Sequence, residues 1–259
     1  MIKFMYGAFV ALIVVCGQAH ATCNDAYYNS TRSSRINSIV SAASPGSVFI
    51  LSDSHGEAGL EIAYGQGSQT IGGHPVVFLG SAGATWATFR DCFPWSAIAG
   101  KSPSDIVIQG NVNDTVTGQC CGGQTVNADA TLAYAQTIMG AINNARAIVP
   151  NPIIATDPPP ESASGIDART NHQSARMVYY VATLCGGTCT WADLGWQGSA
   201  PSSALPFVDQ YKLMAGSTCN GADQAYSTPC RAAVGATRDN VHWPHSGIVT
   251  MFSNIEGVY

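Results

Sequence analysis

Residues 49–59 read FILSDSHGEAG, in which three apolar residues run into a serine, an aspartate, a second serine and a histidine. A short apolar run that ends in polar residues is typical of a strand buried in a parallel sheet. Ser54 stands at the turn after this strand, between Asp53 and His55. A strand that ends in a tight turn is one place where proteins present nucleophiles, so Ser54 is a candidate if the chain supplies its partners.

Three further runs resemble this first strand, because each is short, apolar and followed by small or polar residues. The four predicted strands are residues 47–51, 76–79, 105–109 and 152–156, and residues 191–194 are a candidate fifth strand. Nearly continuous apolar strands are typical of parallel sheets that are covered on both faces. The pattern therefore predicts a central parallel sheet of about five strands.

Helical segments lie between and after these strands. Apolar residues recur at helical spacing over residues 132–148, with Thr131 as the expected N-cap and Pro150 as the stop. Further helices are expected to include residues 177–184 and to follow Pro244. This alternation predicts one α/β domain with helices on both faces of the sheet and a ligand site beyond the carboxyl ends of the strands.

The composition limits the possible partners. Charged residues make up 10% of the 259 residues, the formal net charge is −5, and no run of lysine or arginine occurs. Proteins that bind nucleic acids present basic patches, so no nucleic-acid partner is expected. The length suits one sizeable domain with a full core.

The first 21 residues have the pattern of a secretory signal peptide. Lys3 precedes an apolar run over residues 4–16, and Ala19 and Ala21 form an A-x-A cleavage site. The alternative is an uncleaved membrane anchor, but a spanning helix needs roughly 20 apolar residues. We therefore expect cleavage after Ala21, a mature domain over residues 22–259, no stable membrane insertion afterwards, and a secreted or periplasmic location.

Eight cysteines remain after the leader. They are Cys23, Cys92, Cys120, Cys121, Cys185, Cys189, Cys219 and Cys230. An even number in an exported protein predicts up to four disulfides, with Cys185–Cys189 and Cys219–Cys230 as local pairs. The other four cysteines can pair in three ways. A zinc site at Cys185 and Cys189 is the rival interpretation, but no second matched pair of ligands accompanies them, so no metal is expected.

Reactive residue types follow the predicted strands and occur again near the C-terminus. Ser54 follows the first strand, and Asp239 and His242 lie three residues apart in a late loop. A serine hydroxyl needs a base within hydrogen-bond distance, and neutral imidazole can take and return the proton. A carboxylate on the other ring nitrogen fixes the tautomer and stabilises the imidazolium. Ser54, His242 and Asp239 therefore form a candidate catalytic triad.

Donors for a developing oxyanion are expected at the same edge of the sheet. The candidates are the backbone N–H groups of Ser54 and Gly83 and the side-chain amide of Asn113. Removal of one such donor typically costs about 3–4 kcal/mol of transition-state stabilisation. Gly83, which has no Cβ, also lets a substrate approach the backbone closely.

These segments resemble the conserved blocks of the GDSL (SGNH) hydrolase family of esterases and lipases. The four matching stretches are Ser52-Asp53-Ser54, Ala82-Gly83-Ala84-Thr85, Gln109-Gly110-Asn111-Val112-Asn113-Asp114 and Asp239-Asn240-Val241-His242. The resemblance implies Ser54 as nucleophile, His242 and Asp239 as the other triad members, and Gly83 and Asn113 as oxyanion donors. It also implies a three-layer α/β/α sandwich of flavodoxin-like type.

Three positions depart from the family pattern without removing a reacting group. Ser52 replaces the leading glycine of the first block, and Ala58 stands where its trailing glycine is usual. Asn111 replaces a glycine of the third block, which leaves open whether Asn111 or Asn113 faces the oxyanion. We favour Asn113 because the adjacent Asp114 completes the family's Asn-Asp pair.

The sequence therefore predicts an exported serine esterase that cleaves carboxylic esters through an acyl-enzyme, with no cofactor. A small-molecule or polysaccharide ester is the expected substrate, with short acyl groups such as acetyl favoured by the polar loops. The alternatives are a lipase, a lysophospholipase or an acyltransferase on the same site, or a binding protein that keeps the fold. A zinc-dependent deacetylase would need a His/Asp metal cluster, which the sequence does not assemble. His55 is expected to be a substrate-side or structural residue, and Asp53 to brace the turn.

Overall fold

A six-stranded sheet forms the centre of the computed structural model, which describes residues 23, 25, 28–116, 128–161, 164, 168–184, 205–215, 236–239 and 241–259. The described strands are β1 (Val48–Ser52), β2 (Thr70–Ile71), β3 (His74–Gly80), β4 (Asp105–Gln109), β5 (Ile153–Ala155) and β6 (Phe207–Val208). Their order is β2-β3-β1-β4-β5-β6, and all pairs are parallel except β2 with β3. The predicted parallel sheet is confirmed, with the short antiparallel β2 added at one edge.

Helices cover both faces of this sheet. They are α1 (Ser30–Ala42), α2 (Glu61–Tyr64), α3 (Trp86–Asp91), α4 (Trp95–Ala99), α5 (Val112–Val116), α6 (Ala128–Arg146), α7 (Ala168–Tyr179), α8 (Gln210–Leu213) and α9 (His245–Glu256). A π-helical turn, Gly56–Leu60, leads into α2, and another, Tyr180–Leu184, continues α7. Phe49 and Leu51 of β1 lie in one apolar cluster, whereas Val48 and Ile50 lie in a second. Both faces of the sheet are therefore buried, as a three-layer α/β/α sandwich requires.

The sequence-based elements agree with the structure at most positions and differ at a few. The four predicted strands, the helix continuing to residue 184 and the helix after Pro244 are confirmed. The helix predicted with Thr131 as N-cap begins earlier, at Ala128, so that cap assignment is wrong. Alanine and a first-turn aspartate both favour helix, which accounts for the earlier start. The candidate strand at residues 191–194 lies outside the described residues, and β6 extends the sheet instead.

The strand register brings four carboxyl ends to one edge of the sheet. Strand β1 lies between β3 and β4, and Leu51 is paired with both Leu79 and Ile108. On the far side of β4, Gln109 is paired with Ala155 of β5. The residues that follow β1, β3, β4 and β5 therefore meet at this edge, where ligands bind in sheets of this kind.

A disulfide fixes the N-terminal part of the described chain. Cys23 is bonded to Cys92, which follows α3. This bond is one of the pairings that the sequence left open, whereas the other six cysteines beyond residue 21 lie outside the described residues. Within the described part of the chain, every helix is too short or too polar to cross a bilayer.

Candidate active site

Ser54 lies at the first turn beyond β1. It is partly buried, and the backbone N–H groups of Gly56 and Glu57 both donate to the carbonyl of Asp53, at 3.2 and 3.1 Å. A helical turn thus follows the strand directly and leads into the π-helical turn Gly56–Leu60. This geometry holds Ser54 at the carboxyl edge of the sheet, where the sequence placed the nucleophile.

The glycines after Ser54 are required for close packing. A Cβ on Gly56 would lie 2.7 Å from the Cβ of Ser52 and 3.1 Å from the Cα of Gly80, and a Cβ on Gly59 would lie 2.6 Å from Cδ1 of Ile248. Neither glycine has a positive φ. Close packing, and not backbone freedom in a turn, therefore accounts for both glycines.

Gly83 sits in a turn that only glycine adopts easily. Its φ is +84°, and the N–H of Ala84 donates to the carbonyl of Ser81 at 2.9 Å. Two carboxylates from the segment after Ser54 hold this loop. Glu61 Oε1 accepts from the N–H of Gly80 at 2.7 Å, and Glu57 accepts from the N–H of Ala82. The loop of Gly83 is thereby fixed to the helical segment that begins at Ser54.

The two asparagines after β4 have different surroundings. Asn111 is buried, its side-chain oxygen accepts from the N–H of Asp157 at 2.7 Å, and its own N–H donates to the Asp157 carboxylate at 2.7 Å. Asn113 is only partly buried, and its Nδ2 donates to Oδ2 of Asp53 at 2.7 Å. Asn111 is thus engaged in the framework, and Asn113 is the asparagine that faces the turn of Ser54.

Asp239 and His242 form a close pair. Asp239 Oδ2 lies 2.8 Å from His242 Nδ1, and Oδ1 accepts from the backbone N–H of His242 at 2.7 Å and of Val241 at 3.2 Å. Partial burial acts against the charge, but the hydrogen bonds from the His242 backbone and imidazole lower the pKa of Asp239 to about 2. The carboxylate therefore stays ionised and keeps Nδ1–H as the donor, which leaves Nε2 to act as a base.

The loop that carries His242 lies against the turn of Ser54. The imidazole of His242 is 5.6 Å, centre to centre, from that of His55, the residue after Ser54. His242 Nε2 is enclosed and forms no hydrogen bond with any described residue, so the structure does not join it to Ser54 Oγ. Three of the five predicted site residues, Ser54, Asn113 and Gly83, thus lie at the edge of the sheet that the Asp239–His242 pair also approaches. The hydrogen bond between Ser54 and His242 is not formed. Such bonds often tighten when substrate binds.

A buried ionic network lies directly beneath these residues. His55 Nδ1 is 3.1 Å from Oδ1 of Asp53 and 3.7 Å from Oδ1 of Asp157, and all three side chains are 1% exposed or less. Burial alone would lower the pKa of His55, but the charges of Asp53 and Asp157 outweigh it and raise the pKa to about 9. His55 is therefore an imidazolium at neutral pH, and it does not contact the surface as a substrate-side residue would.

Asp157 and Asp114 complete this buried region. The Asp157 carboxylate accepts from the backbone N–H groups of Asn111 and Val112, at 2.7 and 2.9 Å, across the gap between β5 and β4. Asp114 accepts from the N–H of Trp86 at 3.1 Å. Burial raises the pKa of the Asp157 carboxyl, and it raises the pKa of the Asp114 carboxyl well above its usual range. These bonds fix the segment that carries Asn113 to the neighbouring strand and to α3.

Comparisons with known proteins give structural matches alone. No family model matches this sequence, and no curated protein does. A variant of an acetyl-xylooligosaccharide esterase from Geobacillus stearothermophilus is similar over 83% of this chain and 94% of that chain, with 16% identity and a TM-score of 0.52. The acetylxylan esterase of the same organism, without the substitution, is similar over 82% and 93%, with 15% identity and a TM-score of 0.50.

An α/β hydrolase from the metagenome of Lake Arreo is similar over 83% of this chain and 96% of that chain, with 15% identity and a TM-score of 0.50. The chain shares the fold of these hydrolases. Because the similarity spans nearly the whole of each of those chains, the α/β/α sandwich expected from the GDSL resemblance is confirmed. At identities this low, the likeness extends to the fold and not to individual side chains.

Within this hydrolase fold, sequence reasoning missed the role of Asp157 and the burial of His55. Asp157 follows the fourth predicted strand directly, so the rule that strand ends supply the site could have found it. His55 was seen beside Ser54, but one of its two carboxylate neighbours, Asp157, is distant in sequence. Asp53 braces the turn as expected, since its Oδ1 accepts from the N–H of His55 at 2.8 Å.

The side chains of Asp53, His55 and Asp157 are also candidate ligands for a cation. The ligand atoms of Asp53, His55 and Asp157 lie within 4.8 Å of one another, so a His/Asp cluster that the sequence did not assemble does exist. However, His55 Nδ1 faces Asp53 and Nε2 faces the carbonyl of Val241 at 3.4 Å, and both neighbours are acceptors. An imidazolium satisfies both, so a proton on His55 accounts for this cluster.

Proposed function

We propose that this chain is an exported serine esterase that hydrolyses short-chain carboxylic esters, including acetyl groups on carbohydrate. The observation that carries the proposal is the bonded pair of Asp239 and His242, which lies against the turn of Ser54. A paired imidazole beside a strand-end serine is the arrangement that serine hydrolysis needs. The shared fold with two kinds of hydrolase supports the same reaction class.

The reaction would proceed in two steps. Ser54 Oγ attacks the ester carbonyl while His242 Nε2 takes its proton, and the same proton then passes to the leaving alcohol. The backbone N–H groups of Ser54 and Gly83 and the amide of Asn113 stabilise the oxyanion. Water, activated by His242, then releases the acid from the acyl-enzyme. Asp239 keeps the imidazole oriented throughout, through its 2.8 Å contact with Nδ1.

Acetylated carbohydrate is the proposed natural substrate class. Two of the similar structures are described as esterases of acetyl-xylooligosaccharide or acetylxylan, which supports this choice. A secreted location is proposed from residues 1–21, with cleavage after Ala21, and the Cys23–Cys92 disulfide supports an oxidising compartment. Mass analysis of the secreted protein would give the mature N-terminus.

The test compares turnover by the mature, oxidised protein and its Ser54→Ala variant, with Ser96→Ala as a control. Ser96 is an exposed serine on α4, away from the site. On p-nitrophenyl acetate we expect Ser54→Ala to lose roughly 10³–10⁶-fold in kcat/KM and Ser96→Ala to keep it. Equal background rates for folded wild type and Ser54→Ala would instead favour a binding protein that retains the fold.

A series of acyl lengths, followed by acetylated xylooligosaccharide, tests the substrate class. We expect kcat/KM to fall as the acyl chain lengthens and acetate to be released from the oligosaccharide. A preference for long acyl chains would favour a lipase or lysophospholipase. Ester exchange to an added alcohol that outpaces hydrolysis would favour an acyltransferase.

A further inference from the structure

His55 lies beside the candidate nucleophile and yet is sealed inside the protein. Its side chain is 1% exposed, and both ring nitrogens face acceptors rather than solvent. Nδ1 lies 3.1 Å from Asp53 Oδ1, and Nε2 lies 3.4 Å from the carbonyl oxygen of Val241. A histidine that is to donate at both nitrogens must carry both protons.

Each of these two acceptors leads to a different part of the proposed active site. Asp53 accepts, with its other oxygen, the 2.7 Å hydrogen bond from Nδ2 of Asn113, the proposed oxyanion donor. Val241 directly precedes His242, and its N–H is bonded to Asp239 Oδ1 at 3.2 Å. One imidazole ring therefore connects the oxyanion asparagine with the loop that carries the base.

We propose that His55 is a positioning residue that holds the loop of His242 and the amide of Asn113 in register with Ser54, by donating one ring N–H to Val241 and the other to Asp53. This inference rests on the proposed function. His55 touches no substrate and acts through the two groups that it holds. Small displacements of such groups are costly, since a misplacement of about 1 Å can lower a rate by roughly 100-fold.

The charges around the ring agree with this role. Asp53 and Asp157 face His55 from the ends of β1 and β5, and Asp114 lies in the same buried region from the start of α5. The imidazolium offsets carboxylate charge that would otherwise be buried without an opposite charge beside it. The raised pKa of His55, about 9, keeps the second proton on the ring across the neutral range.

The experiment compares His55→Gln and His55→Leu with wild type, with His74→Gln as the matched control. His74 is a partly buried histidine at the start of β3, at the opposite edge of the sheet. On p-nitrophenyl acetate we expect His55→Leu to lower kcat roughly 10- to 100-fold with KM changed less than about threefold. His55→Gln, which keeps a donor for one acceptor, should recover part of the loss, and His74→Gln should match wild type.

The pH profile separates positioning from a general structural role. In wild type, kcat should decline as pH rises through about 9, when His55 loses the proton that Val241 or Asp53 accepts. This decline should be absent in His55→Gln. Folded His55→Leu with kcat within twofold of wild type, or an unchanged alkaline limb in His55→Gln, would overturn the inference.

A measurement on the wild type covers the case in which neither variant folds. ¹⁵N NMR of the histidine rings should show His55 protonated on both nitrogens at pH 7.5, and a neutral ring would overturn the inference. Failure of the proposed function is seen separately, as equal rates for wild type and Ser54→Ala. An active, Ser54-dependent wild type whose His55 variants remain fully active would reject this inference alone.

Discussion

At the scale of single residues, the two asparagines after β4 differ in burial and in hydrogen-bond partners. Asn111 is buried and exchanges hydrogen bonds with the backbone and side chain of Asp157. Asn113 is partly buried and points an amide N–H at Asp53 beside the turn of Ser54. The sequence left both open as oxyanion donors and favoured Asn113, and their surroundings differ in the same sense. Substitution of each therefore has a different expected effect.

We expect Asn113→Ala to lower kcat by roughly 100- to 1,000-fold, the usual loss for one oxyanion donor, together with some loss of stability because buried Asp53 Oδ2 loses its donor. Asn111→Ala should instead lower the free energy of unfolding by about 1–3 kcal/mol, because it leaves the buried N–H of Asp157 without its acceptor. Ester kinetics and urea unfolding of both variants would check this. A large kcat loss in a stable Asn111→Ala would reverse the assignment.

At the scale of elements, the close contact between the ends of β1 and β3 and the helical turn after Ser54 determines the shape of the site. A Cβ on Gly80 would lie 2.0 Å from the backbone N of Glu57, and one on Gly59 would lie 2.6 Å from the side-chain tip of Ile248. Backbone cannot yield as a flexible side chain can. Gly80 is therefore the stricter requirement, although the GDSL resemblance draws attention to the glycines near Ser54.

The expected order of stability follows from these contacts. Gly80→Ala should lower the free energy of unfolding by more than Gly59→Ala, which should cost about 1–3 kcal/mol, as overpacked cores do. Gly100→Ala is the control, because its Cβ would meet its nearest atom at an ordinary 3.4 Å and its φ is helical. Midpoints of urea unfolding would rank the three. Equal midpoints for Gly80→Ala and Gly100→Ala would contradict the packing argument.

At the scale of the whole molecule, sequence reasoning succeeded where the signal was local or continuous. Four strands were predicted because apolar runs buried on both faces are visible in the sequence, and of the three predicted helices the one over residues 132–148 was predicted from apolar residues at helical spacing. The strands β2 and β6 have two residues each and carry no such pattern. The network of Asp53, His55 and Asp157 was missed because it joins the ends of β1 and β5, which are distant in sequence and separated by β4.

The buried network of Asp53, His55 and Asp157 also makes the stability of the whole molecule depend on pH. The sign of this dependence follows from whether the folded or the unfolded state binds each proton more tightly. The pKa of His55 rises from 6.5 to about 9 on folding, so its contribution is complete below about pH 6.5 and is lost as pH rises through 9. The pKa values of Asp157 and Asp114 are also raised, so these groups too bind protons more tightly in the folded state. All three groups therefore lower stability as pH rises.

We expect the melting temperature of the wild type to decline between pH 6.5 and 9.5. Deprotonation of His55 alone should lower the free energy of unfolding by about 3 kcal/mol over this range. Asp239 cannot cause this decline, because its pKa is lowered to about 2 and its contribution is lost only in acid. His55→Gln removes the titrating ring and should make the profile shallower, although not flat, because Asp157 and Asp114 still titrate; His74→Gln should retain the wild-type slope. Calorimetry across the pH series would decide, and a wild-type melting temperature that is constant from pH 6.5 to 9.5 would show that His55 is not a buried imidazolium.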